Sequence, residues 1–256
     1  MALIKFNFLS DALAMQTNVT VILPTQTFAD KMAGKDPYVP GVKYQVLWLL
    51  HGAFGDDSDY VNFSNILRFA EENKLAVVMP AGYNSGYADA QGHFPTKYYS
   101  FIVDELPKVL GAYFPLSDKR EDNFVGGLSM GGMGAFKCAM MRPEQYSAAL
   151  LMSGAGRDPS IPSPFDMGGD GLNPWAQAKA NVEAGVELPK MFLSVGLDDG
   201  AKEMVIGCRD YLQELGYDVF YEGVPGLAHE WDFWDQCLRK ALYEWMPLRR
   251  EPILPE

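Results

Sequence analysis

The sequence predicts an α/β protein, a mostly parallel β-sheet covered by helices on both faces. Three observations carry this expectation. Short, continuously apolar runs of strand length recur along the chain, helical stripes lie between them, and 256 residues of 48% hydrophobic and 21% charged composition can bury a large core. Leu3–Leu9 and Asn18–Leu23, closed by Pro24, read as antiparallel strands. Tyr44–Leu50 (YQVLWLL) is apolar throughout, as a strand buried on both faces requires. The runs Leu75–Met79, Asn123–Gly127, Ala148–Met152, Met191–Val195 and Asp218–Tyr221 repeat that pattern.

Tyr98, Phe101, Ile102, Leu106, Val109 and Leu110 make one helical stripe, interrupted by Glu105 and expected to kink at Pro107. Met130–Met141 reads as a helix with small residues in its first turn. Met204, Cys208, Tyr211, Leu212 and Leu215 form another stripe, with Gly216 where a helix end favours left-handed geometry. A last helix is expected from Trp231 to Trp245. Strands alternating with helices give the parallel, two-sided sheet. Two stretches rich in Gly, Pro and Asn, Ala81–Thr96 and Ala155–Pro189, resist regular assignment. They are expected to be functional loops, the second a small cap-like insertion in a single domain spanning residues 1–256.

A net charge of −12 and a pI near 4.7 disfavour nucleic acid and anionic lipid as partners, and leave a small-molecule substrate and self-association into a homo-oligomer. Three cysteines, Cys138, Cys208 and Cys237, at wide spacing form neither a disulfide framework nor a zinc site. The opening MALIKFNFLSDALAM lacks the basic end, apolar block and cleavage site of a signal peptide, and no apolar run is long enough to span a bilayer. The expectation is a soluble, cytoplasmic protein.

The sharpest chemical signal is Gly127-Leu128-Ser129-Met130-Gly131, a G-x-S-x-G between a strand and a helix. Its flanking glycines let the backbone fold tightly beneath an exposed serine hydroxyl. That hydroxyl needs a base to remove its proton. Of the three histidines, His93 precedes the serine, whereas folds with this turn order their triad Ser, acid, His. His51 ends a strand and is suited to shaping a loop. His229, between the last strand and the last helix, remains. The acid is expected on the loop leaving Met191–Val195, where Asp198 and Asp199 compete. Successive residues leaving a strand point in opposite directions, and a turn at Gly196 returns the chain toward the site at Asp199. Oxyanion donors are expected from the amide of Met130 and from His51-Gly52-Ala53-Phe54-Gly55, with Ala53 favoured. Phe54, Trp175 and Trp231 are candidate pocket residues, with Phe165 and Tyr83 beside them, although Trp231 and Trp234 also fit a core. Asp56, Asp57, Asp166 and Asp170 match no calcium loop and are read as solvated loop charges, so no metal is expected.

The segments LLHG, PAGYNSGYADAQG, YYSFIVDELPKVLGAYFP, GLSMGGMGAFKCA, GLDD and HEWDFWD resemble the esterase D family of serine hydrolases, in register from Tyr44 to Trp245. Within it the chain most resembles the bacterial tributyrin esterase and acetyl esterase branch. The resemblance implies an α/β-hydrolase fold, cofactor-free hydrolysis of short-chain acyl esters through an acyl-enzyme, and Ser129, Asp199 and His229 as the triad. The family also includes S-formylglutathione hydrolases, cinnamoyl and acetylxylan esterases and mycolyl transferases, so thioester hydrolysis and acyl transfer are the alternatives. Gly200 stands where many relatives have an aromatic, and Ser160–Asn173 matches no familiar segment. A non-catalytic binding module on this scaffold would be expected to lack a triad member, and none is missing.

Overall fold

The computed structural model describes residues 1–90, 96–160 and 170–255. Eight strands form one sheet: β1 (Ala2–Ser10), β2 (Met15–Leu23), β3 (Val46–Leu50), β4 (Ala76–Pro80), β5 (Asn123–Leu128), β6 (Ala148–Met152), β7 (Lys190–Gly196) and β8 (Val219–Val224), in the order β1-β2-β4-β3-β5-β6-β7-β8. β2 pairs antiparallel with β1 and β4, and every other neighbouring pair is parallel. This is the α/β-hydrolase fold. The strands that read as unbroken apolar runs, β3 to β6, are buried along their whole length, while edge strand β1 alternates half-buried and exposed residues.

Period-two alternation splits the strand residues between two cores. Val46, Trp48 and Leu50 face α5 (Leu106–Tyr113), α6 (Met130–Met141), α7 (Pro174–Glu183) and α8 (Lys202–Glu214). Leu47 and Leu49 face α2 (Asp59–Phe63), α3 (Ile66–Glu72) and α9 (Trp231–Lys240). Short helices α1 (Phe28–Met32) and α4 (Tyr98–Ser100) complete the set.

Three features differ from the sequence reading. Strand β2 begins three residues earlier than expected, at Met15. The stripe from Tyr98 is not one regular α-helix: a π-helical turn over Phe101–Glu105 interrupts it, and Leu106 and Pro107 begin α5 without a break in the helical backbone. The Val103 carbonyl, to which Pro107 brings no N–H, accepts a hydrogen bond from Gln145 Nε2 at 2.6 Å. Ala155–Pro189 is not irregular throughout. Asn173 caps α7, its Oδ1 accepting from the Ala176 amide at 3.0 Å, and Pro174 takes the first turn. Asn181 then ties α7 to α6 by donating to the Met140 carbonyl at 2.8 Å. The last helix has the expected bounds, Trp231–Trp245, with its final turn, Ala241–Trp245, π-helical. Glu105, the polar residue in an apolar stripe, accepts from the Ser10 hydroxyl and the Asp11 and Ala12 amides, and so holds the β1–β2 turn.

Candidate active site

Ser129 stands between β5 and α6 with φ +53° and ψ −119°, a left-handed conformation that strains any residue but glycine. The turn is held by its surroundings. The Ser129 amide donates to the Met152 carbonyl on β6 at 2.8 Å. A Cβ at Gly131 would lie 2.1 Å from the Leu50 carbonyl oxygen, so glycine there lets α6 abut the end of β3. The serine hydroxyl is thereby pushed out at the carboxyl end of the sheet.

His229 lies on the β8–α9 loop, with Nε2 3.0 Å from Ser129 Oγ and Nδ1 2.9 Å from Asp199 Oδ2. Asp199 leaves β7 and is 5% exposed, and its Oδ1 also accepts from the Ala201 amide at 2.7 Å. Asp198 is exposed beside Leu197 in the turn that leaves β7, and its amide donates to the Leu227 carbonyl. Burial pushes the Asp199 carboxyl up, but hydrogen bonds from His229, the Ser153 hydroxyl and the Ala201 amide outweigh it, so the carboxyl lies below its ordinary value. An ionised carboxylate only accepts, so His229 Nδ1 carries the proton. Nε2 then offers a lone pair to the Ser129 hydroxyl. The arrangement can take a proton from that hydroxyl and stabilise the imidazolium that results.

The loop after β3 crosses directly over Ser129: a Cβ at Gly52 would stand 2.6 Å from Leu128 Cδ1 and 3.5 Å from Ser129 Cβ. The amides of Ala53 and Met130 have no acceptor among the described residues. The Phe54 amide is taken, donating to Asn84 Oδ1 at 2.7 Å, with φ +66° at Phe54. His51 lies beneath this loop, 1% exposed. Its Nε2 accepts from the Gly82 amide at 2.8 Å, so Nδ1–H donates to the Gly52 carbonyl at 2.6 Å. Burial holds His51 below the ordinary histidine value and keeps it neutral. Tyr87 and Tyr60 donate their hydroxyls to the carbonyls of His51 and Leu50.

The sequence-predicted pocket residues are dispersed. Phe54 is 93% exposed at the rim. Tyr83 is exposed and meets Tyr98 edge-on. Trp175 stacks flat on Tyr211 of α8, ring centroids 3.9 Å apart. Trp231 packs among Tyr60, Phe63 and Trp234. It is Trp234 whose ring reaches His229, edge-on at 5.0 Å. His93, Phe165 and Asp166 lie outside the described residues. Asp56 is exposed, as a solvated loop charge should be, but Asp57 and Asp170 are not. Asp57 is buried and binds Thr20 and Lys5, and the Asp170 side chain is buried against Lys137. Among the described residues no group of three or more His, Cys, Asp and Glu side chains is placed to hold a metal ion. Sequence reasoning missed Asn84 and Ser153. The only signal for Asn84 was the irregularity of its segment, and for Ser153 there was none.

Residues 10–243 match a family model described as "Putative esterase". The chain is 30% identical over 269 residues to an acetyl esterase of Caldicellulosiruptor saccharolyticus, covering 96% of this chain and 98% of that one. Among solved structures it is similar to FphF, a fluorophosphonate-binding serine hydrolase of Staphylococcus aureus, at a TM-score of 0.81 and 30% identity over 96% of this chain and 98% of that one. It is also similar to the S-formylglutathione hydrolase FrmB of Staphylococcus aureus, at a TM-score of 0.80 and 28% identity over the same shares of the two chains.

Proposed function

The chain belongs to this esterase family and is a serine ester hydrolase of the α/β-hydrolase fold; on that premise we propose that Ser129 is its nucleophile, His229 its general base and acid, and Asp199 the carboxylate that orients His229. The observation that carries this reading is the unbroken hydrogen-bond chain from Ser129 Oγ through His229 to Asp199. His229 Nε2 takes the hydroxyl proton as Oγ attacks the ester carbonyl. The carbonyl oxygen, now an anion, is received by the amides of Ala53 and Met130. Imidazolium returns the proton to the departing alcohol, leaving Ser129 acylated. Water then enters, gives its proton to His229 and releases the acid, restoring the hydroxyl.

The favoured substrates are esters of acetyl to butyryl size. The acetyl esterase relative supports this. Comparing kcat/KM for acetyl, butyryl, octanoyl and feruloyl esters and for S-formylglutathione tests it. Acetyl or butyryl should lead. A faster octanoyl ester would overturn the short-chain preference, and a lead for S-formylglutathione would assign a thioesterase on the same triad.

The protein acts as one domain on small-molecule esters in the cytoplasm. Three buried free cysteines fit a reducing compartment, and no helix among the described residues is long and apolar enough to cross a membrane.

A further inference from the structure

Tyr87 lies on the loop after β4 and takes no part in the steps above. It is fully buried, with φ +50°, a conformation that strains a bulky residue. Its ring is wedged between two backbones that carry no side chain at the contact. A Cβ at Gly134 of α6 would lie 2.5 Å from Tyr87 Cδ2, and one at Gly82 would lie 2.4 Å from Cε1. The Tyr87 hydroxyl donates to the His51 carbonyl at 2.9 Å, and its own carbonyl accepts from Lys137 Nζ of α6 at 3.3 Å. Lys137 is held in turn by Asp170, whose side chain is 3% exposed and whose Oδ2 lies 3.0 Å from Nζ. The same oxygen accepts from the Asp89 amide at 3.4 Å, and Oδ1 accepts from the Leu172 amide at 3.0 Å, just ahead of α7.

These contacts join the two places from which the oxyanion donors come. Met130 opens α6, with Gly134 and Lys137 further along it, while Ala53 follows His51 and Gly52 on the loop after β3. Among the described residues, the hydrogen-bonded connection between α6 and residues 51–55 runs through Tyr87. We propose that Tyr87 is a positioning residue for the oxyanion hole. Anchored on α6 by Lys137, it sets the loop that presents the Ala53 amide at the spacing the Met130 amide requires, and the Lys137–Asp170 pair fastens the segment leading into α7 to the same strut. The proposal rests on the Ser129–His229–Asp199 reading. A displaced Ala53 amide fails the oxyanion of the transition state rather than the neutral ester, so the loss falls on kcat and not on KM.

The test is steady-state hydrolysis of 4-nitrophenyl acetate by the full chain, with inhibition by 1,1,1-trifluoro-2-hexanone and by 2-hexanone. With the trifluoro ketone, Ser129 Oγ bonds to the carbonyl carbon, the C=O π pair moves onto oxygen and the hydroxyl proton passes to His229, so the adduct fills the oxyanion hole. Unactivated 2-hexanone has the same chain and reports ground-state binding. Inhibition constants do not depend on the fraction of enzyme folded, so a variant that is merely less stable leaves both unchanged. The variants are Tyr87→Phe, the pair Lys137→Met/Asp170→Asn, which strands no buried charge, and all three substitutions together, with Ser129→Ala as reference. Tyr87→Phe and the Lys137→Met/Asp170→Asn pair should each lower kcat about tenfold at unchanged KM, weaken the trifluoro ketone by the same factor and leave 2-hexanone at its native level. The triple variant should fall no further than the worse of the two, because both break one strut. Native kcat and native trifluoro ketone inhibition in Tyr87→Phe would overturn the proposal. A lower kcat with both inhibition constants unchanged, or multiplicative losses in the triple variant, would overturn it too. Turnover retained by Ser129→Ala would sink the triad reading and the proposal with it, whereas an inactive Ser129→Ala beside a fully active Tyr87→Phe would refute the strut alone.

Discussion

Ser129, Asp199 and His229 stand on three strand exits whose backbones stay tied to the sheet, whereas Phe54 and Tyr83 stand on loops that cross its carboxyl end. At the exits, the ladder of backbone hydrogen bonds runs on past the strands. The Ser129 amide donates to Met152, Ser153 to Ser194, Leu197 to Val224 and Asp198 to Leu227, at 2.8 to 3.1 Å. The crossing loops lack such a ladder at these two residues. Phe54 and Tyr83 are exposed, each with a positive φ, and their rings carry little packing. Proton transfer needs geometry held to the tolerance of a hydrogen bond, and a sheet supplies it. Substrate contact needs only shape, which exposed side chains can vary without disturbing the sheet.

Variants at the exits should therefore change rate by orders of magnitude and leave the fold alone, and rim variants should change selectivity. The largest effect is expected of Ser129→Ala, on the order of 10⁴-fold or more in kcat on 4-nitrophenyl acetate with an unaltered melt. Near-native turnover in that variant would remove the serine from the mechanism. Next comes Asp199→Asn, at about 10²–10⁴ in kcat, against Asp198→Asn within about tenfold of wild type. If the two ranked the other way, the acid would move to Asp198 with Ser129 and His229 in place.

Asn84 sharpens the comparison, because it is a loop residue with an exit residue's task. By accepting the Phe54 amide it fixes the loop that presents Ala53. Asn84→Ala should lower kcat about tenfold, less than loss of an oxyanion donor itself. An unchanged kcat would show that the buried His51 contacts hold the loop alone. Phe54→Ala, at the rim, should stay within about threefold on the acetyl ester while altering the butyryl-to-acetyl ratio. A uniform fall on both esters would place Phe54 with the exits. The smallest effect concerns stability. His51 is held below its ordinary value of 6.5 by burial, so its contribution is whole above that pH and is lost as pH falls toward its folded-state value. Melting temperature should therefore decline on acidification below about 6.5, and His51→Asn, though less stable throughout, should decline less steeply there.

What was legible in the sequence follows the same division. Ser129 was readable because its strained turn demands glycine at both flanks within five residues. His229 followed from having three histidines to choose among, and Asp199 from the turn expected at Gly196, where the Asp199 amide donates back to the Gly196 carbonyl. The apolar runs of β3 to β6 announced strands buried on both faces. Helix α7 was hidden because it buries only Ala178 and Asn181 and so carries almost no apolar stripe. The π-helical turn before Pro107 was hidden because it answers a missing N–H and a glutamine 38 residues beyond it. Ser153 and Trp234 meet across 81 positions, and Phe54 and Asn84 across 30. Such pairs leave no local pattern, since the sheet rather than the neighbouring sequence brings them together.

Central to the account is that the Ser129 hydroxyl is activated through His229, and covalent trapping tests this most directly. The full chain should be treated with a fluorophosphonate at neutral pH and the adduct located by peptide mass spectrometry, beside Ser129→Ala and His229→Ala. The account predicts one adduct, on Ser129, absent from Ser129→Ala and formed by His229→Ala at a rate lower by on the order of 10³-fold. An adduct on another residue, or labelling of Ser129 at the native rate in His229→Ala, would contradict it.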